Sequence, residues 1–141
     1  MSESDPQEQK PPQKGNTGFL RVVKAAGYSN AGLKAAWQHE SAFRQELTSG
    51  IVLLPLAVWL AETWLQLLLM VAACMLVLIT ELLNSAIETV VDRVGTEQHL
   101  LAGRAKDIAS AAVALAIILV LMTYSVVALT RFAPMSSGVQ G

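Results

Sequence analysis

The sequence has few charged residues and a single cysteine. Charged side chains make up 15% of its 141 residues, against roughly 25% in typical soluble domains. Ten Lys and Arg stand against eleven Asp and Glu, so the chain lacks the basic excess typical of nucleic-acid binding. The one cysteine, Cys74, excludes an internal disulfide framework and a cysteine-rich zinc site. Hydrophobic residues make up 53%, more than the core of so short a soluble chain could bury, which predicts a membrane protein.

Both ends of the chain are predicted to be tails. Residues 1–18 contain three prolines and two glycines among polar side chains, and they offer almost nothing apolar to bury, which predicts disorder. No apolar run follows Met1 as a secretory signal peptide would require. With residues 133–141 as a short C-terminal tail, the predicted domain covers residues 19–132.

Two amphipathic surface helices are predicted over residues 19–46. The first covers 19–26, where apolar residues alternate with basic ones, and the second covers 31–46. The segment 27–32 between them contains two glycines and a Ser-Asn pair, which predicts a turn. Basic amphipathic segments that carry Trp and Phe favour the plane of a membrane surface.

Three uncharged stretches predict three membrane-spanning helices. They contain 15, 18 and 23 residues and cover 47–61, 63–80 and 108–130. A spanning helix needs about 20 residues, within a range of roughly 17–25. With flanking residues included, the predicted spans cover about 47–63, 64–91 and 107–130. Pro55 in the first span is tolerated in a membrane helix.

The basic residues predict the orientation of these spans. Six of the ten Lys and Arg precede the first span, three lie between the second and third, and one follows the third. Loops rich in Lys and Arg stay in the cytoplasm. The N-terminus and the 92–107 loop are therefore predicted to be cytoplasmic, and the C-terminus periplasmic. Small residues in the second and third spans favour helix packing and self-association.

Polar residues continue the second span along one helical face. The run begins at Glu81 and continues at spacings of 3, 4, 7 and 11 residues with Asn84, Ser85, Glu88 and Asp92. These spacings place all five side chains, which we call the acidic stripe, on the same side of a helix. Grouped carboxylates favour a hard cation such as Mg²⁺. Acidic residues at membrane depth are functional candidates by default.

The depth of Glu81 follows from its distance to Glu62. The two are 19 residues apart, about 28 Å along a helix, and the hydrocarbon core is about 30 Å thick. Glu81 is therefore predicted at the cytoplasmic headgroup level, where a lipid hydroxyl would also lie. Acids for a metal, bases for phosphate and this carboxylate together suit phosphoryl transfer at an interface.

The chain lacks the nucleotide-binding motifs of P-loop proteins and of protein kinases. On spacing alone, the acidic stripe is also compatible with polar contacts between helices or with a proton path.

Several motifs resemble those of the prokaryotic diacylglycerol kinase family. The run ELLNSAIE at 81–88 with VVDR at 90–93 is similar to the family signature. A second block, GRAKD at 103–107 with SAA at 110–112, is also similar. Further similar segments lie at 24–29, 32–36 and 40–46. The resemblance covers about residues 16–132 and favours the Gram-negative lipid kinase branch over the undecaprenol kinase branch.

The resemblance implies an all-α homotrimer in the bacterial inner membrane. Each chain would have an amphipathic surface helix and three transmembrane helices. It would use ATP and Mg²⁺ to phosphorylate diacylglycerol to phosphatidic acid among the membrane lipids.

The resemblance also implies roles for individual residues. Glu81 resembles the catalytic carboxylate, Glu40 and Glu88 resemble metal ligands, and Asn84 and Asp92 resemble supporting residues. The expected ATP contacts are Arg21, Tyr28, Glu40, Glu88, Glu97, Gln98, His99, Lys106 and Asp107. The expected lipid contacts are Ala42, Phe43, Arg44, Gln45, Glu46, Trp59, Leu60, Ala61, Glu62, Glu81 and Ser110.

Two alternatives stay open at this point. The acceptor lipid could be undecaprenol, or the chain could be a non-enzymatic, ion- or proton-conducting membrane oligomer that uses the same acidic stripe. Phosphate transfer from ATP to diacylglycerol separates an enzyme from a conducting oligomer, and offering both lipids separates the acceptors.

Overall fold

The computed structural model describes residues 18–94 and 100–133. They form four helices: α1 (Gly18–His39), α2 (Ser41–Leu60), α3 (Trp64–Val94) and α4 (Leu100–Phe132). These described ranges contain no strand, in agreement with the predicted all-α class. The chain divides into two compact units, residues 1–34 and 35–141, and each is described by itself.

The described part of the first unit belongs to α1, which is continuous across the predicted turn. Gly27 and Gly32 both lie inside the helix, so the turn predicted over 27–32 is wrong. A glycine costs a helix only about 1 kcal/mol relative to alanine, and the surrounding Ala, Leu and Lys residues favour helix. Large apolar side chains in this unit are exposed, among them Phe19, Val22 and Tyr28.

The second unit begins with the end of α1 and a break at Glu40. The backbone of Glu40 is extended, with φ −106° and ψ 112°, so the second predicted surface helix is divided between α1 and α2. Arg44 in the first turn of α2 donates from Nη1 to the carbonyl oxygens of Trp37 (3.0 Å) and Gln38 (3.4 Å). These bonds satisfy carbonyl groups that the end of α1 leaves without helical partners.

A capping box starts α3 after the tight reversal that follows α2. The Thr63 N–H donates to Gln66 Oε1 (3.1 Å), and the Gln66 N–H donates to Thr63 Oγ1 (3.2 Å), the reciprocal pattern of this motif. The Glu62 N–H donates to the same Gln66 oxygen (2.8 Å). These bonds satisfy the amides of the reversal between Leu60 and Trp64, where the first and second predicted spans also meet.

The core lies where α2, α3 and α4 meet. Its buried side chains are Ala57 and Leu60 on α2, Met70, Ala73 and Val77 on α3, and Ala116, Val120, Tyr124 and Val127 on α4. On α3 the buried positions recur every three or four residues and continue at the same spacing into Glu81 and Ser85. The core face of α3 therefore changes from apolar to polar within one helix.

Two of the helices are long and apolar enough to cross a membrane. They are α3, with 31 residues, and α4, with 33. Most of their large apolar side chains point outward, which agrees with a surrounding lipid phase. The helix α3 continues to Val94 and α4 begins at Leu100, so both helices extend beyond the predicted spans 64–91 and 107–130 into the segment 92–107. The span predicted in the region of α2 stays a prediction.

Tyr124 on α4 connects the three helices of the core. Its hydroxyl donates to the carbonyl oxygen of Leu53 on α2 (2.8 Å) and lies 3.5 Å from Cys74 Sγ on α3. The Tyr124 side chain is buried, so this hydrogen bond is shielded from water.

The substitution Tyr124→Phe tests this contact because it removes the hydroxyl and keeps the ring. We expect the free energy of unfolding to fall by about 0.5–1.5 kcal/mol, measured by SDS titration in detergent micelles. Thr123→Val is the matched control, since the Thr123 hydroxyl donates within its own helix to Leu119 O (2.7 Å) and its loss should change stability less. Equal stability of Tyr124→Phe and the parent would contradict the role assigned to this hydroxyl.

Candidate active site

The acidic stripe lies along the C-terminal half of α3, and its burial decreases toward the helix end. Glu81 is 4% exposed and Ser85 8%. Asn84 and Glu88 are half-buried, and Asp92 is exposed. The predicted face therefore starts in the core of the bundle and ends at its surface.

Three other carboxylates act on Glu81. Glu46, Glu88 and Glu40 are near enough to oppose a negative charge on it. Glu46 lies on α2 and Glu40 immediately before it, while Glu88 lies two turns further along α3. Four acidic side chains from two parts of the chain thus interact electrostatically at one buried position. Like charges repel strongly where water is partly excluded, and a bound cation would relieve that repulsion. Such a cluster therefore attracts positive charge.

Glu40 owes its position to the break between α1 and α2. It is the N-cap residue of α2, yet its side chain makes no capping hydrogen bond. A carboxylate at a helix N-terminus commonly satisfies the free amides there. The half-buried carboxylate of Glu40 instead interacts electrostatically with Glu81.

Asn84 and Glu88 form a hydrogen-bonded pair on the stripe. Asn84 Nδ2 donates to Glu88 Oε1 (3.0 Å), while Asn84 Oδ1 is buried without a partner. Buried polar atoms are nearly always hydrogen-bonded, so this oxygen indicates a place for a donor or a cation. Within residues 18–94 and 100–133, no group of three or more His, Cys, Asp or Glu side chains could hold a metal ion by itself.

An ion pair joins the open end of the stripe to α4. Lys106 Nζ lies 2.5 Å from Asp92 Oδ1. Lys106 lies on α4 and Asp92 on α3, so the pair links the two helices. Asp107 and Ser110 are exposed. The pair places a lysine where the stripe reaches the surface.

The remaining expected ATP contacts belong to the first unit or lie outside the described residues. Arg21 and Tyr28 are exposed on α1, in the first unit. Glu97, Gln98 and His99 lie outside the residues that the structure describes.

The expected lipid contacts fall into two separate groups. Ala42 to Glu46 lie in the first turns of α2, where Phe43 is buried and Arg44 binds the end of α1. Trp59 to Glu62 lie at the opposite end of α2, and the length of α3 between Glu62 and Glu81 separates them from the stripe by about 28 Å. The structure does not bring the two groups together.

Trp59, a member of the second group, contacts the end of α4. The Arg131 guanidinium lies 5.0 Å from the centroid of the Trp59 ring, within cation–π range. Arg131 Nη1 also donates to the Trp59 carbonyl oxygen. Arg131 therefore ties α4 to the C-terminal end of α2.

An open apolar groove runs between α2 and α3 and includes Glu46. Its volume is about 280 Å³, and its walls include Leu47, Ile51, Leu54, Met75 and Leu78. Glu46 is the charged residue of this lining, and Glu46 also acts on Glu81. The sequence gives little sign of the groove, because its walls are apolar residues like those of the rest of both helices.

Apolar helices with outward-facing side chains, joined to a carboxylate cluster at one end, define a helical membrane protein with a polar site. The family model for prokaryotic diacylglycerol kinase matches residues 27–128. The chain belongs to the prokaryotic diacylglycerol kinase family.

Three relatives show how far this similarity extends. The diacylglycerol kinase of Escherichia coli (strain K12) is 50% identical over 116 residues, which cover 82% of this chain and 95% of that protein. That of Haemophilus influenzae is 48% identical over 104 residues, or 74% and 88% of the two chains. That of Pseudomonas aeruginosa is 47% identical over 118 residues, or 84% and 96%.

Proposed function

We propose that this chain is an ATP-dependent diacylglycerol kinase that forms phosphatidic acid at the membrane interface. The observation that carries the proposal is identity of 47–50% to three diacylglycerol kinases over nearly their whole length. The whole acidic stripe lies inside the segment that the family model matches. The structure adds a carboxylate cluster at one end of apolar helices, where a lipid alcohol and a water-soluble nucleotide can meet.

Glu81 is the proposed general base. The hydroxyl oxygen of diacylglycerol attacks the γ-phosphorus of ATP, its proton passes to the Glu81 carboxylate, and the bond to the β,γ-bridging oxygen breaks to release ADP. Burial of Glu81 in the bundle keeps competing water away from the carboxylate.

The donor set around Glu88 fits Mg²⁺. This ion uses one or two protein carboxylates together with water and substrate phosphates, and it does not need a cage of three acids. Glu40 and Glu88 would hold it, with the unpartnered Asn84 Oδ1 as a further oxygen beside them. When bound, the ion neutralises charge on the transferred phosphoryl group.

ATP is proposed to approach from the exposed end of the stripe. Lys106, held by Asp92, would exchange that carboxylate for a phosphate and disperse its charge. Asp107, residues 97–99, Arg21 and Tyr28 are the further proposed ATP contacts.

The lipid is proposed to enter along the groove between α2 and α3. Its apolar walls suit an acyl chain, and Glu46 lies where the groove meets the carboxylate cluster. Ala42 to Gln45, at the same end of α2, and Ser110 are the nearby proposed lipid contacts. Trp59 to Glu62 would contact lipid at the opposite end of the bundle.

In the membrane, α2 is proposed as the third span beside α3 and α4. Its 20 residues measure about 30 Å, the thickness of the hydrocarbon core. The distribution of Lys and Arg supports a cytoplasmic N-terminus and a periplasmic C-terminus in the bacterial inner membrane. Exposed apolar faces on all three helices would contact lipid and the other subunits of a homotrimer.

Replacing the acids tests the proposed chemistry. We expect Glu81→Gln and Glu88→Gln to fold and assemble, but to phosphorylate diacylglycerol at least about 100-fold more slowly. The measurement is transfer of labelled γ-phosphate from ATP in mixed micelles that hold equal amounts of diacylglycerol and undecaprenol. Thr89→Val is the control, because Thr89 is exposed and its hydroxyl bonds within α3, and it should keep full activity.

Other outcomes of this assay point elsewhere. Full activity in either acid variant would contradict the assigned roles. Label in undecaprenol alone would identify the other acceptor. Absence of transfer to any lipid by the parent protein would favour a conducting oligomer.

Metal removal tests the cation site. Chelation should abolish transfer and added Mg²⁺ should restore it. In Asn84→Ala the concentration of Mg²⁺ for half-maximal rate should rise about tenfold or more, because Glu88 loses its hydrogen-bond donor and the site loses an oxygen. An Asn84→Ala variant with the parent's Mg²⁺ requirement would contradict the placement of the ion.

A further inference from the structure

Ser85 is the member of the acidic stripe that the proposed chemistry does not use. Its side chain is 8% exposed, and its Oγ is buried without a hydrogen-bond partner. A buried hydroxyl without a partner destabilises a fold, and most such groups in proteins have one. The unpartnered hydroxyl of Ser85 lies one helical turn from Glu81, the proposed catalytic base.

Several other hydroxyls in the described helices have hydrogen-bond partners close by. Ser29 and Ser49 donate to the carbonyl oxygen four residues earlier, at 3.0 and 2.9 Å, and Thr89 does the same at 2.8 Å. This local bond is open to any serine within a helix. Ser85 does not make it, so its hydroxyl is left for a different acceptor.

The carboxylate of Glu81 is an acceptor on the same face. Ser85 follows Glu81 by four residues, and side chains at this spacing are neighbours, with Cβ atoms about 5–6 Å apart. Among the described residues, no side chain donates a hydrogen bond to this carboxylate. Within the described ranges Glu81 therefore has no side-chain donor and the Ser85 hydroxyl no acceptor, and the two buried residues lie one turn apart.

We propose that Ser85 is a positioning residue whose hydroxyl donates to the Glu81 carboxylate in the working enzyme. Rotation of the serine side chain would make this bond and hold the carboxylate toward the lipid hydroxyl. A neutral donor steadies the base without a positive charge that would compete for the phosphate groups of ATP. The inference rests on the proposed role of Glu81 as the base.

The variant Ser85→Ala separates this role from a structural one. Alanine removes the unpartnered hydroxyl and favours helix more than serine does, so the variant should unfold at a higher SDS concentration than the parent. Loss of a hydrogen bond to a charged group should at the same time lower kcat by about tenfold to a hundredfold. The KM values for ATP and diacylglycerol should stay unchanged, since Ser85 touches neither substrate.

Two further variants complete the test. Ser85→Cys keeps a weaker donor of similar size, and its kcat should lie between those of Ser85→Ala and the parent. Thr89→Ala is the matched control, because its exposed hydroxyl bonds only within α3, and its kcat should equal the parent's.

The contrary results are distinct from one another. Parental kcat in Ser85→Ala, with Glu81→Gln inactive, overturns the role of Ser85 and leaves the proposed function intact. A lower kcat together with easier unfolding assigns Ser85 a structural role and also overturns the inference. Full activity of Glu81→Gln would show that Glu81 is not the general base. Both the proposed mechanism and the inference about Ser85 would then fail.

Discussion

Mutual repulsion among carboxylates is the constraint on which this structure depends. Glu40, Glu46 and Glu88 all oppose a charge on the buried Glu81, so the fold must hold them together against their own electrostatics. The apolar core where α2, α3 and α4 meet supplies that hold, and Tyr124 adds a hydrogen bond between helices. In the proposed function a bound cation would offset this repulsion during phosphoryl transfer.

The breaks between helices help to position the carboxylates around Glu81. The break after α1 places Glu40 near Glu81 without tying its carboxylate to the helix end. The capping box at Thr63 starts α3 in a fixed register, so that its buried row reaches Glu81 after the apolar core ends. Beyond the core, Asp92 binds Lys106 of α4. The groove between α2 and α3 meets the cluster from the apolar side, and the exposed end of the stripe meets water. In the proposed function, a lipid and a nucleotide approach the same carboxylates from these two sides.

The features of the fold and of the site that depend on the periodicity of the sequence could be predicted from it. The all-α class, the tight reversal after α2 and the shared face of the acidic stripe follow from hydrophobic spacing and charge. The turn at 27–32 was wrong because helix-forming neighbours outweigh two glycines. The helices α3 and α4 also extend into the segment 92–107, beyond the predicted spans. Contacts across helices were missed. The pairing of Lys106 with Asp92 and the binding of Arg44 to the end of α1 depend on tertiary packing, which spacing along one helix does not encode. The unpartnered state of Ser85 Oγ likewise appears only once the neighbouring helices are in place.

The depth of α3 in the bilayer tests the central claim most directly. Leu83 and Ala72 both lie on its exposed surface, and eleven residues, about 16 Å of helix, separate them. Spin labels at Leu83→Cys and Ala72→Cys, each in a Cys74→Ala background, report depth through their accessibility to oxygen and to a water-soluble nickel complex. The account predicts the label at 83 at the headgroup level, in contact with the nickel complex, and the label at 72 near the middle of the acyl chains. A label at 83 that oxygen reaches and the nickel complex does not would place the carboxylates in hydrocarbon and contradict the account.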